Sequence, residues 1–452
     1  MTERSPLRRR LVATVLASAL AVTPALFSGL SPVLASANVA APIVHRYSLG
    51  SMVRLTTYRF GTGPEQVRVI RIIQGAASLD IVNASSGFGV QAKPSAIASK
   101  GYFDGSSYGP GIAATNGDFT RNLMPVHLEE IAGQMMTTGL QSSPQFALNA
   151  DGSHAYIGKS RFSFAGTYNS TKFSVDAWNS GGPARDQIAG YSSVGGSVQL
   201  PPGTASPKPR DRAYCAVLLL PSAEPKWSNR AKASIERTYT INAVGTDPCP
   251  QTPMSLGTNP DAVVLASAAF GAGATTLKSL ATCSCTVTLS WGHNHWPGVV
   301  DAIGGTPVLV DNGVNVGPGF NPGGPYFFNY NPRTAIGFNA NCSDTDLLTL
   351  CKVYLVTVDG RQSTWSAGWR MNQLGAFFVN TLHAQYALNL DGGGSTVSWV
   401  HQRVSTFTPP CIESASAGCL VDKPADGLVE RPTIMALVAI PGADLGVPPS
   451  LR

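Results

Sequence analysis

The densest chemical signal in the chain is Asn389-Leu390-Asp391-Gly392-Gly393-Gly394-Ser395. If Ala387 to Asp391 is extended, side chains alternate between two faces. Asn389 and Asp391 then point one way while Leu388 and Leu390 face a core. An amide and a carboxylate would be held side by side, and the three glycines would let backbone N–H groups approach phosphate or sugar oxygens closely. No Lys follows the glycines, so this is not a Walker loop. Read plainly, the same residues are a glycine turn with Asp391 as a turn residue.

Two further segments place polar groups where apolar runs stop. Ala113-Ala114-Thr115-Asn116-Gly117-Asp118-Phe119 would present Asn116 and Asp118 at a strand end, although Asn-Gly is also the commonest hairpin turn. Tyr354 to Val358 runs into Asp359-Gly360-Arg361, where Asp359 and Arg361 share one side if the chain stays extended. That pair suits an ion pair or an anion site. In Trp291-Gly292-His293-Asn294-His295-Trp296, two histidines on one face of an extended segment have the spacing of metal ligands, but no third ligand is identifiable. The flanking tryptophans equally suit a sugar-stacking surface or a packed core.

These residues need a frame, and the frame reads as β. β-Branched runs at Val67 to Ile73, Leu79 to Val82, Ala213 to Leu220, Ala262 to Ala266, Thr286 to Trp291, Pro307 to Val310, Val353 to Val358 and Tyr386 to Leu390 are broken by Gly, Pro, Asn or Asp. Met371, Leu374, Phe377, Phe378 and Leu382 recur on one helical face, which predicts a helix over Met371 to His383 packed on a sheet. The pattern by itself reads as a β-rich core with a helix packed on its sheet.

Composition narrows the partners. Charged residues make up 13 % of the 452, low for a soluble domain, while 43 % are hydrophobic, enough for a sizeable core. Arg4, Arg8, Arg9 and Arg10, then a mostly apolar stretch from Leu11 to Leu34, then Ala35-Ser36-Ala37 have the plan of a secretory signal peptide over residues 1–37. An uncleaved membrane anchor is the rival, but Pro24, Gly29 and Pro32 interrupt the apolar stretch. The expectation is a secreted or cell-envelope protein with no stable membrane span after cleavage. Removing the four Arg and Glu3 lowers the formal charge from +6 to +3, too weak to argue for nucleic acid. All eight cysteines follow the leader, and export favours disulfides. Cys342–Cys351 and Cys411–Cys419 are close enough to close small loops. Cys283 and Cys285, two apart in an extended strand, would each seek Cys215 or Cys249.

Asn116-Gly117-Asp118-Phe119, Ile303 to Val310, Arg333-Thr334-Ala335-Ile336-Gly337, Val356 to Arg361, Ser366-Ala367-Gly368 and Asn389 to Ser395 occur in the order found in the phosphodiester glycosidase family, which the chain resembles from about Ser95 to Ile440. The resemblance implies a mixed α+β domain that hydrolyses the bond between a sugar's anomeric carbon and a phosphodiester. It suggests residues 38–94 as strands leading into a catalytic domain over 95–445. A phosphodiester carries a negative charge, so Arg333 and Arg361, helped by Gly392, Gly393, Gly394 and Ser395, are the candidates to bind it, with Asn116 and Asn389 as further substrate contacts. Asp391, Asp359 and Asp118, in that order, are the candidate catalytic carboxylates. No cofactor is firmly predicted, but a divalent cation held by Asp391 and Asp118 would also neutralise phosphate. The partner expected is a glycan or sugar-phosphodiester. A noncatalytic wall-glycan binding protein and a metal phosphodiesterase cleaving P–O are the alternatives.

Overall fold

The computed structural model describes residues 41–441 apart from 51, 62–64, 75–76, 86, 101, 104–105, 108–110, 140–141, 150–151, 153, 160, 181, 196–213, 222–235, 243–260, 284, 320–328, 340–350, 402–410 and 428. The expected signal peptide, Cys249 and Cys342 lie outside these residues. All described residues fall within the unit Ala40–Arg452.

Antiparallel sheets dominate. The first runs in the order Ile43–Gly50, Val53–Phe60, Glu65–Ile73, Lys352–Val358, Arg333–Phe338, Tyr386–Asn389, Val308–Asp311 and Val314–Asn315. Every pairing in it is antiparallel, with Arg333 opposite Val358 and Ala335 opposite Asn389. A second sheet orders Glu413–Ala415, Gly418–Leu420, Ser398–His401, Ala113–Asn116, Met435–Pro441 and Ala77–Asn83. A third has Val299–Gly304 between Glu129–Ile131 and Gln145–Asn149. A fourth, built on Arg161–Tyr168, Thr286–Asn294 and Val263–Ala268, is antiparallel except where Ala177–Trp178 meets Ile188–Ser192.

The β-branched runs explain the layering. Leu55, Ile70, Ile72, Ile336, Phe338 and Leu388 of the first sheet pack with Leu79, Ile81 and Leu437 of the second and Phe146 and Ile303 of the third in one core. The opposite face of the first sheet carries Val67, Val69, Ala335, Val356 and Val358, covered by the helix Met371–Asn380 through Met371, Leu374, Phe377 and Phe378. Near-continuous burial along Arg333–Phe338 and Lys352–Val358 follows, because both sides of this sheet are covered. The helix ends before the predicted His383: Thr381 N closes on the Phe377 carbonyl and His383 takes a left-handed φ of 51°.

Several expectations need correction. The α+β label overstates the helices, since the described helices are few and short: Pro94–Lys100, Ala272–Thr282 and Met371–Asn380. Cys283 and Cys285 bond each other, not distant partners, where Cys283 caps the end of the helix Ala272–Thr282 just before the strand Thr286–Asn294. Their Cα atoms are 5.2 Å apart, against roughly 6.6 Å for two steps of a strand. Cys411–Cys419 is bonded as expected. Cys215 and Cys351 are also in disulfides, with partners outside the described residues. Among the described residues no helix is long and apolar enough to cross a membrane.

Because Phe378 is 0 % exposed and joins helix to sheet, Phe378→Ala should lower unfolding free energy by about 3–5 kcal/mol in denaturant titration. A loss below about 1 kcal/mol would mean that the helix is not anchored through this ring.

Candidate active site

The site residues gather where strand ends of the first two sheets meet. Asn116 ends its strand fully buried. Its Nδ2 donates to the Asp391 carbonyl at 2.7 Å, and its Oδ1 accepts from Thr334 Oγ1 at 2.7 Å and from Val397 N at 3.3 Å. Asp391 N returns a bond to the Gly117 carbonyl at 3.2 Å. Asn-Gly is therefore no hairpin turn here: Ala113–Asn116 pairs with Ser398–His401 and Met435–Pro441, and its end is sewn to the Asp391 turn.

The glycines serve this turn first. Gly393 has a left-handed φ of 65°, and its N–H donates to the Pro332 carbonyl at 3.0 Å. A Cβ on Gly392 would lie 2.7 Å from that same carbonyl, so only glycine fits so close an approach. The Gly392 N–H and the Ser395 hydroxyl both favour the ionised Asp391 carboxylate. Burial outweighs them and, with the charge of Asp118, raises the Asp391 pKa to about 6. Asp391 stays partly exposed, so a group titrating near neutrality reaches solvent.

On the other flank of the turn stand two guanidiniums. Arg361 is exposed, with Nη2 3.0 Å from where a Cβ of Gly393 would lie and Nε donating to Asn331 Oδ1 at 3.2 Å. Arg333 is buried, with Nε donating to the Trp369 carbonyl at 2.9 Å and Nη2 to the Asn329 carbonyl at 2.7 Å. Burial, then the charge of Arg361, lowers the Arg333 pKa to about 10. Arg361 thus offers the accessible cation, while Arg333 adds buried positive charge behind it.

Asp359 lies apart from this cluster in its contacts. Arg361 adopts a φ of 58°, so the chain does not stay extended and the two side chains diverge. Asp359 is 1 % exposed; Trp365 Nε1 donates to its Oδ2 at 2.5 Å, Lys423 N to its Oδ1 at 3.3 Å, and Arg68 lies 3.7 Å away. Asp422 is buried beside it, and each acid is pushed above the usual carboxylate range, chiefly by burial. Asn389 is also buried, its Nδ2 donating to the Thr306 carbonyl at 2.7 Å, which braces the loop before Val308.

Two side chains not anticipated from sequence join Asp118. His127 Nδ1 is 2.6 Å from Asp118 Oδ1, and His127 N donates to Asp118 Oδ2 at 3.0 Å. Glu129 is fully buried next to them; its oxygens lie near the Asn83 amide without closing a hydrogen bond. Burial and the Asp118 charge push the Glu129 carboxyl well above the usual range. A histidine nine positions after Asp118 was the one available signal. The His293/His295 pair, by contrast, makes no metal site: His293 Nε2 meets Glu130 Oε2 at 2.8 Å in the interior, and His295 turns away with a φ of 73°. Among the described residues no cluster of three His, Cys, Asp or Glu is placed to hold a metal ion. Asp118 Oδ1 meets Phe119 N and His127 Nδ1, and its Oδ2 meets His127 N, so its nearest partners are nitrogens of the following loop.

The raised Asp391 pKa fixes the sign of a stability effect. Its folded value, about 6, lies above the ordinary 3.8, so the neutral form's contribution is present at low pH and is lost as pH rises through about 6. Asp391→Asn should therefore melt higher than the wild type at about pH 8, with the gain vanishing toward about pH 4. Parallel melting curves across that range would show that Asp391 is not desolvated.

Residues 261–438 match the phosphodiester glycosidase family. No curated protein matches the chain. A hypothetical protein from Synechocystis shares the fold, with a TM-score of 0.59 at 17 % identity over 88 % of this chain and 64 % of that one, so this chain spans under two thirds of its length. A Burkholderia pseudomallei protein described as a candidate exported protein gives a TM-score of 0.55 at 19 % identity, covering 84 % of this chain and 75 % of that one. The zebrafish N-acetylglucosamine-1-phosphodiester alpha-N-acetylglucosaminidase catalytic domain, auto-inhibited by its pro-peptide, aligns with a TM-score of 0.39 at 11 % identity over 89 % of this chain and 88 % of that one. The chain is thus similar to the phosphodiester glycosidase family over residues 261–438, the stretch that carries Arg333, Arg361 and Asp391.

Proposed function

We propose that this protein is an exported hydrolase that cleaves the glycosidic bond of a sugar-1-phosphodiester in a cell-envelope or extracellular glycan. The observation that carries the reading is one glycine turn with a near-neutral carboxylate, Asp391, on one flank and the exposed guanidinium of Arg361 on the other. A glycosyl phosphodiester has the same two-part chemistry: a sugar carbon that becomes cationic and a phosphate that stays anionic. The disulfides Cys283–Cys285 and Cys411–Cys419 support an oxidising compartment.

In this reading Arg361 binds the phosphate through paired N–H donors, and the buried charge of Arg333 strengthens the local positive field. Cleavage releases a phosphate monoester, an anionic leaving group that Arg361 holds as charge builds on it. Ionised Asp391 faces the anomeric carbon and stabilises the positive charge that develops on the sugar ring. Asn116 acts through Asp391, fixing the turn by its bond to the Asp391 carbonyl.

The test is turnover of a panel of glycosyl phosphodiesters by the mature chain and by Asp391→Asn. The folded variant should lose about two to four orders of magnitude in kcat, the scale of one missing acid/base carboxylate. Folded Asp391→Asn with near-normal turnover would remove Asp391 from the chemistry. Arg361→Ala should raise KM, and by more at low ionic strength, where phosphate and guanidinium are least screened. A KM that does not move with the variant or with salt would contradict phosphate binding there.

A further inference from the structure

We infer that His127 is the base that takes the proton from the attacking water, with Asp118 as the residue that orients its ring; this rests on the hydrolase reading above. Asp118 is an acceptor on both oxygens: Oδ1 receives Phe119 N at 2.6 Å and Oδ2 receives His127 N at 3.0 Å. The remaining contact, His127 Nδ1 to Oδ1 at 2.6 Å, is then an N–H donating to the carboxylate. A proton fixed on Nδ1 leaves the lone pair of the neutral ring on Nε2. Among the described residues no group bonds Nε2.

The ring is also held in place sterically. Phe119 meets it edge-on, with centroids 5.8 Å apart. Gly304 passes beneath so closely that a Cβ there would collide with the His127 side chain. Since Asp391 N bonds the Gly117 carbonyl, the residue before Asp118, the dyad lies beside the Asp391 turn. Glu129 is buried close enough for the Asp118 charge to help raise its pKa, so it belongs to the same cluster. His127 and Glu129 precede the stretch that matches the family, and they are placed here by this chain's own geometry.

The step balances without any further reactant. Water loses a proton to His127 Nε2 and its oxygen bonds to the anomeric carbon. The C–O bond to phosphate breaks with its electron pair staying on the phosphate oxygen. The products are the free sugar and a phosphate monoester, and the proton leaves His127 for solvent.

His127→Ala and His127→Gln, both checked for folding by thermal melts, test this against a phosphodiester that the wild type hydrolyses. The glutamine can still donate to Asp118 but cannot act as a base. We expect kcat to fall by about two to four orders of magnitude in either, with KM within about twofold. Azide, an anionic nucleophile that needs no base, should restore turnover to His127→Ala and yield glycosyl azide. A folded variant with wild-type kcat overturns the assignment, as does a lost kcat that azide does not restore. A wild-type chain inert toward every glycosyl phosphodiester would instead overturn the hydrolase reading itself.

Discussion

The buried amide of Asn116 is the constraint on which the site depends. It binds the Asp391 carbonyl, the Thr334 hydroxyl and the Val397 N–H, joining segments that are 218 to 281 residues away in sequence. A buried amide satisfied by three partners has one geometry, since moving any segment would leave a polar atom unpaired in the core. With that amide fixed, the strand end before Gly117 and the turn after Asn389 cannot slide past each other. Asp118 and Asp391 are thereby held as neighbours although they come from different sheets.

That proximity carries an electrostatic cost which the surroundings distribute unevenly. Asp118, Glu129 and Asp391 all have raised pKa values because burial disfavours their charged forms. Asp118 recovers part of this through His127 and two backbone donors, whereas at Glu129 only the Asn83 side chain opposes burial and the Asp118 charge. Asp391 lies between them in environment, partly exposed and held near neutrality. One fold thus gives neighbouring carboxyls different surroundings, the condition under which they take different roles. Arg361 lies against Gly393 of the turn and lowers the pKa of buried Arg333, while the charge of Arg431 reaches Asp391 itself.

Much of this was legible in the sequence, for identifiable reasons. The strands at Glu65–Ile73 and Lys352–Val358 declare themselves by β-branched runs because both faces are buried. The helix Met371–Asn380 shows a broad apolar stripe, whereas Ala272–Thr282 buries only Gly273, Ala274, Leu277 and Leu280 and reads as turn-like. Asn116 and Asp391 were recognisable as polar residues closing apolar strands. His127 was not, because its role depends on a tight excursion through left-handed Asn122 and Leu123 that returns the chain to Asp118. Asp359 closes an apolar strand as Asp391 does, but Trp365 and Arg68 enclose it, and a contact with Arg68, 291 residues away, leaves no local mark. The Cys283–Cys285 spacing has the look of a strand, whereas a helix ends there.

The central claim is that the site around Asp391 directs water to the sugar carbon and leaves the phosphate intact. Hydrolysis in ¹⁸O-labelled water tests it most directly. The account predicts that the label enters the anomeric hydroxyl of the released sugar and that the phosphate monoester carries none. Label in the phosphate, with an unlabelled sugar, would place the broken bond between phosphorus and oxygen and contradict the account.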